Sequence, residues 1–257
     1  MNRNMKRIKP FTLFVILYAS LIVISFSSCV IVNFDSHYGG RNAVSGRGDP
    51  ETYEIRVGQF SRIKVEGYCD VRYYAAARDY VTLEVQPNLR EYFVVEVIGD
   101  ELLLRTTRRI NYGSGKTPVL TVYTSVLEGL NIEGAGTFTT QDKISTDSFK
   151  LRLAGAGKGQ AEFDVNELYV SMSGAGSLEL SGLADRVSLD MSGAGELNAL
   201  SLQSREAAVK FSGAGAVKIS CSEDLSITAS GVGSVEYRGS PRVSLSNSGL
   251  VSVNRVD

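Results

Sequence analysis

Five residues near the middle of the chain, Gly113-Ser114-Gly115-Lys116-Thr117, come nearest to a nucleotide site. A phosphate-binding loop of this kind needs an opening glycine five places before its last one, and Ile110 stands there. It also needs a helix N-terminus to cradle the phosphate, whereas Pro118 leads into an apolar, strand-like run. The segment therefore reads as a hairpin turn. The tripeptide Gly-Ala-Gly matches the first three positions of a dinucleotide fingerprint, but it lacks the βα setting and the acidic partner.

Carboxylate pairs are the next chemistry to weigh, since two acids flanking a glycosidic bond suffice to cleave it. The candidates are Asp190 with Glu179 or Glu196. Against them, the outward series Asn131, Arg152, Ser171, Asp190, Lys210, Thr228 and Ser246 mixes charge and size freely, as a solvated face does. The single histidine, His37, lies close to the N-terminal leader, which excludes a histidine-based triad in the body of the chain. Cys69 and Cys221 give no metal-ligand spacing. They fall on inward-facing parity and read as buried free thiols, with a bridge between them as the alternative. Tyr73, Tyr74, Tyr80, Tyr92 and Phe93 form an aromatic-rich stretch that would serve core packing or end-capping, or else platform a sugar or a peptide. No metal and no cofactor is expected, and no catalytic residue is assigned.

Most of these motifs lose force once the chain is viewed at longer range. Gly-Ala-Gly stands at 134–136, 155–157, 174–176, 193–195 and 213–215, returns as Gly231-Val232-Gly233, and fades to Ser248-Gly249-Leu250. The first glycines are 21, 19, 19, 20, 18 and 18 residues apart. A fixed period of this size marks a stack of like units, and a feature present at every turn is scaffold. Before each tripeptide runs an alternating segment such as Leu189-Asp190-Met191 or Val209-Lys210-Phe211; after it runs another, such as Leu178-Glu179-Leu180 or Val217-Lys218-Ile219. Apolar residues two apart are the period of a half-buried strand, and no stretch keeps the 3.6 period of a helix.

The expected unit is thus strand, glycine bend, strand, loop. Gly134, Gly136, Gly155, Gly157, Gly174, Gly176, Gly193, Gly195, Gly213, Gly215, Gly231 and Gly233 are its structural corners. Ala154, Ser173, Ser192, Ser212, Ser230 and Ser248 just before them would link turn to turn through their hydroxyls. The fold predicted is all-β: a right-handed, single-chain parallel β-helix (β-solenoid) of about 19–20 residues per turn. An all-β sandwich is the alternative, though it gives no reason for one tripeptide at every second strand. The residues that follow the tripeptide, Thr137, Lys158, Ser177, Glu196, Ala216 and Ser234, carry no aspartate ladder, so structural calcium is not expected.

Residues 51–129 form a less regular β-rich part, and 130–257 hold the repeats. Strands are expected over 53–57, 63–73, 81–85, 93–98, 102–105 and 119–123. The run Ile63-Lys64-Val65-Glu66-Gly67 echoes Leu130-Asn131-Ile132-Glu133-Gly134, so Gly67 fits a first solenoid turn with the following hairpins as an insertion.

The first 28 residues read as a secretory signal: Arg3, Lys6, Arg7 and Lys9, then an apolar run over 11–26, then Ser27-Ser28-Cys29. Cys29 after two small residues resembles the lipobox of bacterial lipoproteins, which implies cleavage before Cys29 and lipidation of its thiol. A membrane anchor left uncleaved and simple secretion are the alternatives. Residues 29–50 are then the lipidated cysteine and a polar, glycine-rich stem. The leader takes four basic residues and no acids, leaving 23 Lys and Arg against 28 Asp and Glu, a net of −5. With no basic stripe, nucleic acid is not an expected partner.

The leader, the segment Phe60-Ser61-Arg62-Ile63-Lys64-Val65-Glu66-Gly67, then Asp70-Val71, and the recurring Ser-Gly-Ala-Gly together resemble the putative auto-transporter adhesin, head GIN domain family. The likeness spans about residues 50–250. It implies a secreted or envelope-attached β-helical domain of Gram-negative bacteria and brings no catalytic residues with it. The expected role is a non-enzymatic cell-envelope lipoprotein, held at the membrane, in all expectation the outer one, through Cys29. It would present a rigid solenoid to a glycan or protein ligand. A carbohydrate-active β-helix enzyme is the first alternative. A structural or sensor subunit of the envelope, including a homo-oligomer, is the second.

Overall fold

A computed structural model describes residues 43–257; the leader, Cys29 and His37 lie outside the described residues. The protein is a β-solenoid of about six turns with parallel stacked coils, and the described residues are 73% strand and 3% helix. Of its longest strands, Ile144–Met172 runs for more than one full coil, and Ala175–Met191, Ala194–Phe211 and Ala214–Ala229 each run around most of one.

Coil pairs with coil in parallel and in register. Gly134, Ala135 and Gly136 lie beside Gly155, Ala156 and Gly157, and the same alignment carries Gly176 onto Gly195, Gly215 and Gly233. Inward residues therefore stack like on like. Leu178 meets Leu197, Val217 and Val235; Leu189 meets Val209 and Ile227; Met191 meets Phe211 and Ala229. All of these are buried, and Phe149 and Phe163 add a tilted ring pair 5.2 Å apart at the centroids. A buried Leu or Phe contributes about 1.5–3 kcal/mol by leaving water. One coil cannot collect that alone, because its inner face is covered only by its neighbours.

The glycines are where backbone meets backbone. A Cβ on Gly174 would overlap the carbonyl oxygen of Gly155, one on Gly193 that of Gly174, and one on Gly213 that of Gly193. The bend is shorter than the tripeptide. It falls on Ser-Gly (Ser173-Gly174, Ser192-Gly193, Ser212-Gly213), and the alanine already opens the next strand. In the first two coils strand pairing runs through the motif unbroken. The link between turns at these serines is made by the backbone: the amide of Ser192 donates to Met172 O at 3.0 Å and that of Ser212 to Met191 O at 2.9 Å. The hydroxyl ladder is not needed for it.

The first turn of the stack comes from the irregular half. Arg62–Tyr68 and Asp70–Ala75 pair in parallel with Gly129–Thr140, placing Gly67 beside Gly134. On the other side, Glu101–Thr106 pairs with Arg62–Tyr68, and Val119–Thr124 pairs with Asp70–Ala75, again in parallel. Three antiparallel pairings then end the parallel order. Phe93–Ile98 folds back on Glu101–Thr106, Tyr80–Val85 on Val119–Thr124, and Glu51–Ile55 on Tyr80–Val85. These strands cover an end that would otherwise offer open edges.

Candidate functional site

Alternation along each strand leaves every second side chain in an outward column, one residue per coil at about 4.8 Å intervals. The sequence candidates distribute over these columns without converging. Asp190 lies beside Ser171 and Lys210, before the Ser192-Gly193 bend. Glu179 lies beside Gln160 and Asn198, after a bend, and Glu196 is tied to Lys218 at 2.8 Å. Arg186 and the Tyr169 hydroxyl hold Glu167 below the usual carboxylate range, and Arg205 does the same for Glu223. That is the wrong direction for a general acid. Among the described residues no cluster of three or more His, Cys, Asp or Glu side chains could hold a metal ion.

The aromatic stretch divides in two. Tyr73 and Phe93 are in the core. Tyr74 and Tyr80 lie against Tyr123, with centroids 5.1 and 4.0 Å apart and planes within 16° and 7° of parallel. The stack spends most of its ring faces on itself, which leaves little flat surface for a sugar. Tyr123 was missed from sequence because its strand partners are set by the insertion. The 113–117 loop is a turn, as its lack of a helix requires, and Lys116 is bound by Asp49 at 3.2 Å and the Gly48 carbonyl at 2.8 Å. Cys69 and Cys221 are both free and buried. They sit on coils five rungs apart, roughly 24 Å at strand spacing, far beyond disulfide reach. Burial pushes the Cys221 thiol up, and its sulfur lies 3.2 Å from the carbonyls of Arg205 and Asp224.

Two concavities of the outer surface lie among the described coils. The smaller, about 360 Å³, follows Tyr169, Ser188, Ala208 and Ser226 beside Glu167 and Arg186. Tyr169 donates to Glu167 at 2.8 Å, and the Lys150 ammonium stands 5.9 Å from its ring centre. The larger is a cleft of about 710 Å³ that touches five successive coils, from Asp164 through Asp185, Arg205 and Cys221 to Arg238.

Unequal coil lengths cut the larger cleft. Successive first glycines are 19 residues apart at Gly174–Gly193, then 20, then 18. The extra residue enters as a bulge, since register is lost between Glu179 and Ser181 and again between Ala199 and Gln203. Against the short coil the register jumps again between Ser204 and Glu206. Bulges re-aim side chains and often adjoin functional sites. The successive spacings 20 and 18 were on view in the sequence, but only the register shows where along the coils the extra residues fall.

The model of the family described as "Putative auto-transporter adhesin, head GIN domain" matches residues 59–241. The chain belongs to this family. No curated protein matches the sequence. The fold is shared with the crystal structure of a putative adhesin from Bacteroides fragilis, 21% identical with a TM-score of 0.79, covering 83% of this chain and all of that one. A putative lipid binding protein from Parabacteroides distasonis is 23% identical with a TM-score of 0.63. A putative adhesin from Parabacteroides merdae is 19% identical with a TM-score of 0.61. Each of these two covers 84% of this chain and 100% of its own. In this head GIN protein the segment that carried the resemblance is structural. Phe60 is buried, Gly67 aligns with Gly134, and the Asp70 carboxylate accepts the Thr137 amide at 2.7 Å, stitching the first coil to the second.

Proposed function

We propose that this protein is a non-enzymatic lipoprotein of the cell envelope that presents a rigid solenoid for adhesion to, or binding of, a glycan or a protein. The observation that carries the reading is the outer surface of the coils. Mixed, solvated columns surround a scaffold of stacked parallel coils, and where they set two carboxylates side by side, as at Glu66 with Glu133 and Glu206 with Asp224, a cation such as Lys64 or Arg242 is bound to the pair, as on a charged surface that offers many contacts. Adhesin is also the role named for the family and for two of the compared structures. The anchor in this reading is the thiol of Cys29. Two or more acyl chains hold a protein stably on a membrane, each buried CH₂ contributing about 0.8 kcal/mol. The stem over 29–50 then sets the reach of the solenoid from the lipid.

The test has two arms. Metabolic labelling with a fatty-acid analogue should mark the full chain and sediment it with outer membranes, and Cys29→Ala should lose both. An unlabelled wild-type chain overturns the anchor. Capture of glycans or envelope proteins by the full chain in detergent should retain a partner, and the absence of any partner overturns the binding role.

A further inference from the structure

We infer that the cleft over the unequal coils is a binding site for a neutral linear glycan lying along the solenoid axis. This rests on the binding reading above and supplies its place and its ligand class. The cleft reaches from the coil of Asp164 to that of Arg238, four rung spacings, or roughly 19 Å at strand separation. Its volume, about 710 Å³, is that of an ordinary ligand site. An elongated trough fits a chain better than a compact small molecule.

The lining decides the class. Of its two cations Arg205 is paired, with two bonds to Glu223 at 2.9 and 3.1 Å, and Arg238, whose Nε donates to the Asp257 carbonyl at 3.2 Å, is offset by the Asp164 and Asp185 carboxylates of the same lining. Little positive charge is left to recruit a polyanion. An acyl chain would need a continuous apolar trough, whereas here Leu183, Leu200 and Val165 are interspersed with Asp185, Gln203, Ser201 and Ser222. A peptide adding itself as a strand needs an open edge. The unpaired positions here, at Asn166, Asp185, Arg205, Ser222 and the bulge over 200–202, are short corners between paired strands and form no continuous edge.

Sugar hydroxyls suit what remains, because each donates and accepts and can satisfy carboxylate, amide and hydroxyl groups together. Asp185 is exposed and has no ion pair among the described residues, so its acceptors are free for such hydroxyls. Beside it Leu183 is 49% exposed, an unusual place for leucine on a coil whose other leucines are buried. It gives the C–H face of a sugar ring an apolar surface. Leu183 and Asp185 are two residues apart on one outward-facing stretch, so one ring could meet both.

The experiment uses the full chain in detergent with neutral oligosaccharides (linear glucans, mannans and xylans) and anionic ones (heparin and alginate fragments), read by calorimetry. At least one neutral linear oligosaccharide should bind. Asp185→Ala and Leu183→Ala should each weaken it about tenfold, the factor expected for one lost hydrogen bond or apolar contact. Lys210→Ala, in another column, should stay within about twofold by the same scale. Circular dichroism and the unfolding midpoint should be unchanged in all three. Binding that both cleft variants keep overturns the cleft while leaving the glycan-binding role intact. Preference for the anionic fragments overturns the ligand class. If no oligosaccharide binds, the inference falls; the wider reading then stands or falls on whether the same chain captures a protein.

Discussion

Between Gly129 and Arg255 a residue finds its neighbours by moving one coil along, whereas between Glu51 and Thr124 the parallel coils over 62–75 and 101–124 are joined by three pairs of strands that fold back. The first region is built from small residues at the bends and medium apolar ones inside, repeated with almost no change. The second uses antiparallel pairs, a short 3-10 helix at Pro87–Tyr92, and large aromatic side chains. Repetition makes the stack periodic but leaves its end unfinished. Only a segment that breaks the pattern can close it. The irregular half is thus the device that terminates the parallel order at one end, and it also supplies the turn on which the repeats begin.

The sharpest way to break that contrast is to add one carbon to a glycine in each region. Gly174→Ala sets a Cβ against the carbonyl oxygen and backbone of Gly155, with no flexible side chain to give way. The coil must move as a whole, and a cost of about 3–5 kcal/mol or more follows, enough to unfold a protein of ordinary stability. Gly58→Ala meets nothing within 4 Å and lies outside the left-handed region. It should be neutral or stabilise by about 0.4–1 kcal/mol, by restricting the unfolded chain. Denaturant midpoints of the two variants measure the difference; equal effects would mean that the coils are not in backbone contact.

The same contrast explains what could be read in advance. Glycine spacing fixed the strand period, the parallel register and the inward set Leu178, Leu189, Met191 and Val209, because every unit repeats the same local choice. Gly67 was found through its echo of Gly134. The pairing of Tyr80–Val85 with Val119–Thr124 could not be found that way, since no local residue encodes a partner nearly forty positions away. For that reason the Tyr74–Tyr123–Tyr80 stack was seen only as a tyrosine-rich stretch, and the cleft only as an uneven count of residues. Tyr123→Ala tests whether the stack stabilises the capping part. Losing two ring contacts and part of the burial should cost about 1–2 kcal/mol. Tyr169→Ala, which removes a ring with no aromatic neighbour, should shift the unfolding midpoint less. If the order is reversed, the capping part does not depend on its aromatics.

The smallest effect belongs to the charged columns, where pH separates them from the packing beneath. Glu167 is held below the usual carboxylate range, first by the Arg186 guanidinium and then by the Tyr169 hydroxyl. Its folded form binds a proton less readily than its unfolded form. The stabilisation is therefore complete above the unfolded carboxylate pKa, near 4.3, and is lost as pH falls through the depressed folded value. Glu223 and Arg205 behave alike. Both pairs are largely solvent-exposed, so salt screens them and each contributes little at neutral pH. Glu167→Gln should leave the midpoint at pH 7 nearly unchanged. It should flatten the decline between about pH 5 and 3, the interval in which a depressed carboxylate regains its proton. About 1 M salt, with a screening length of about 3 Å, should remove most of the difference between variant and wild type. A variant that declines as steeply as wild type would place the acid sensitivity in the other carboxylates, and the column of Glu167 and Arg186 would then be surface alone.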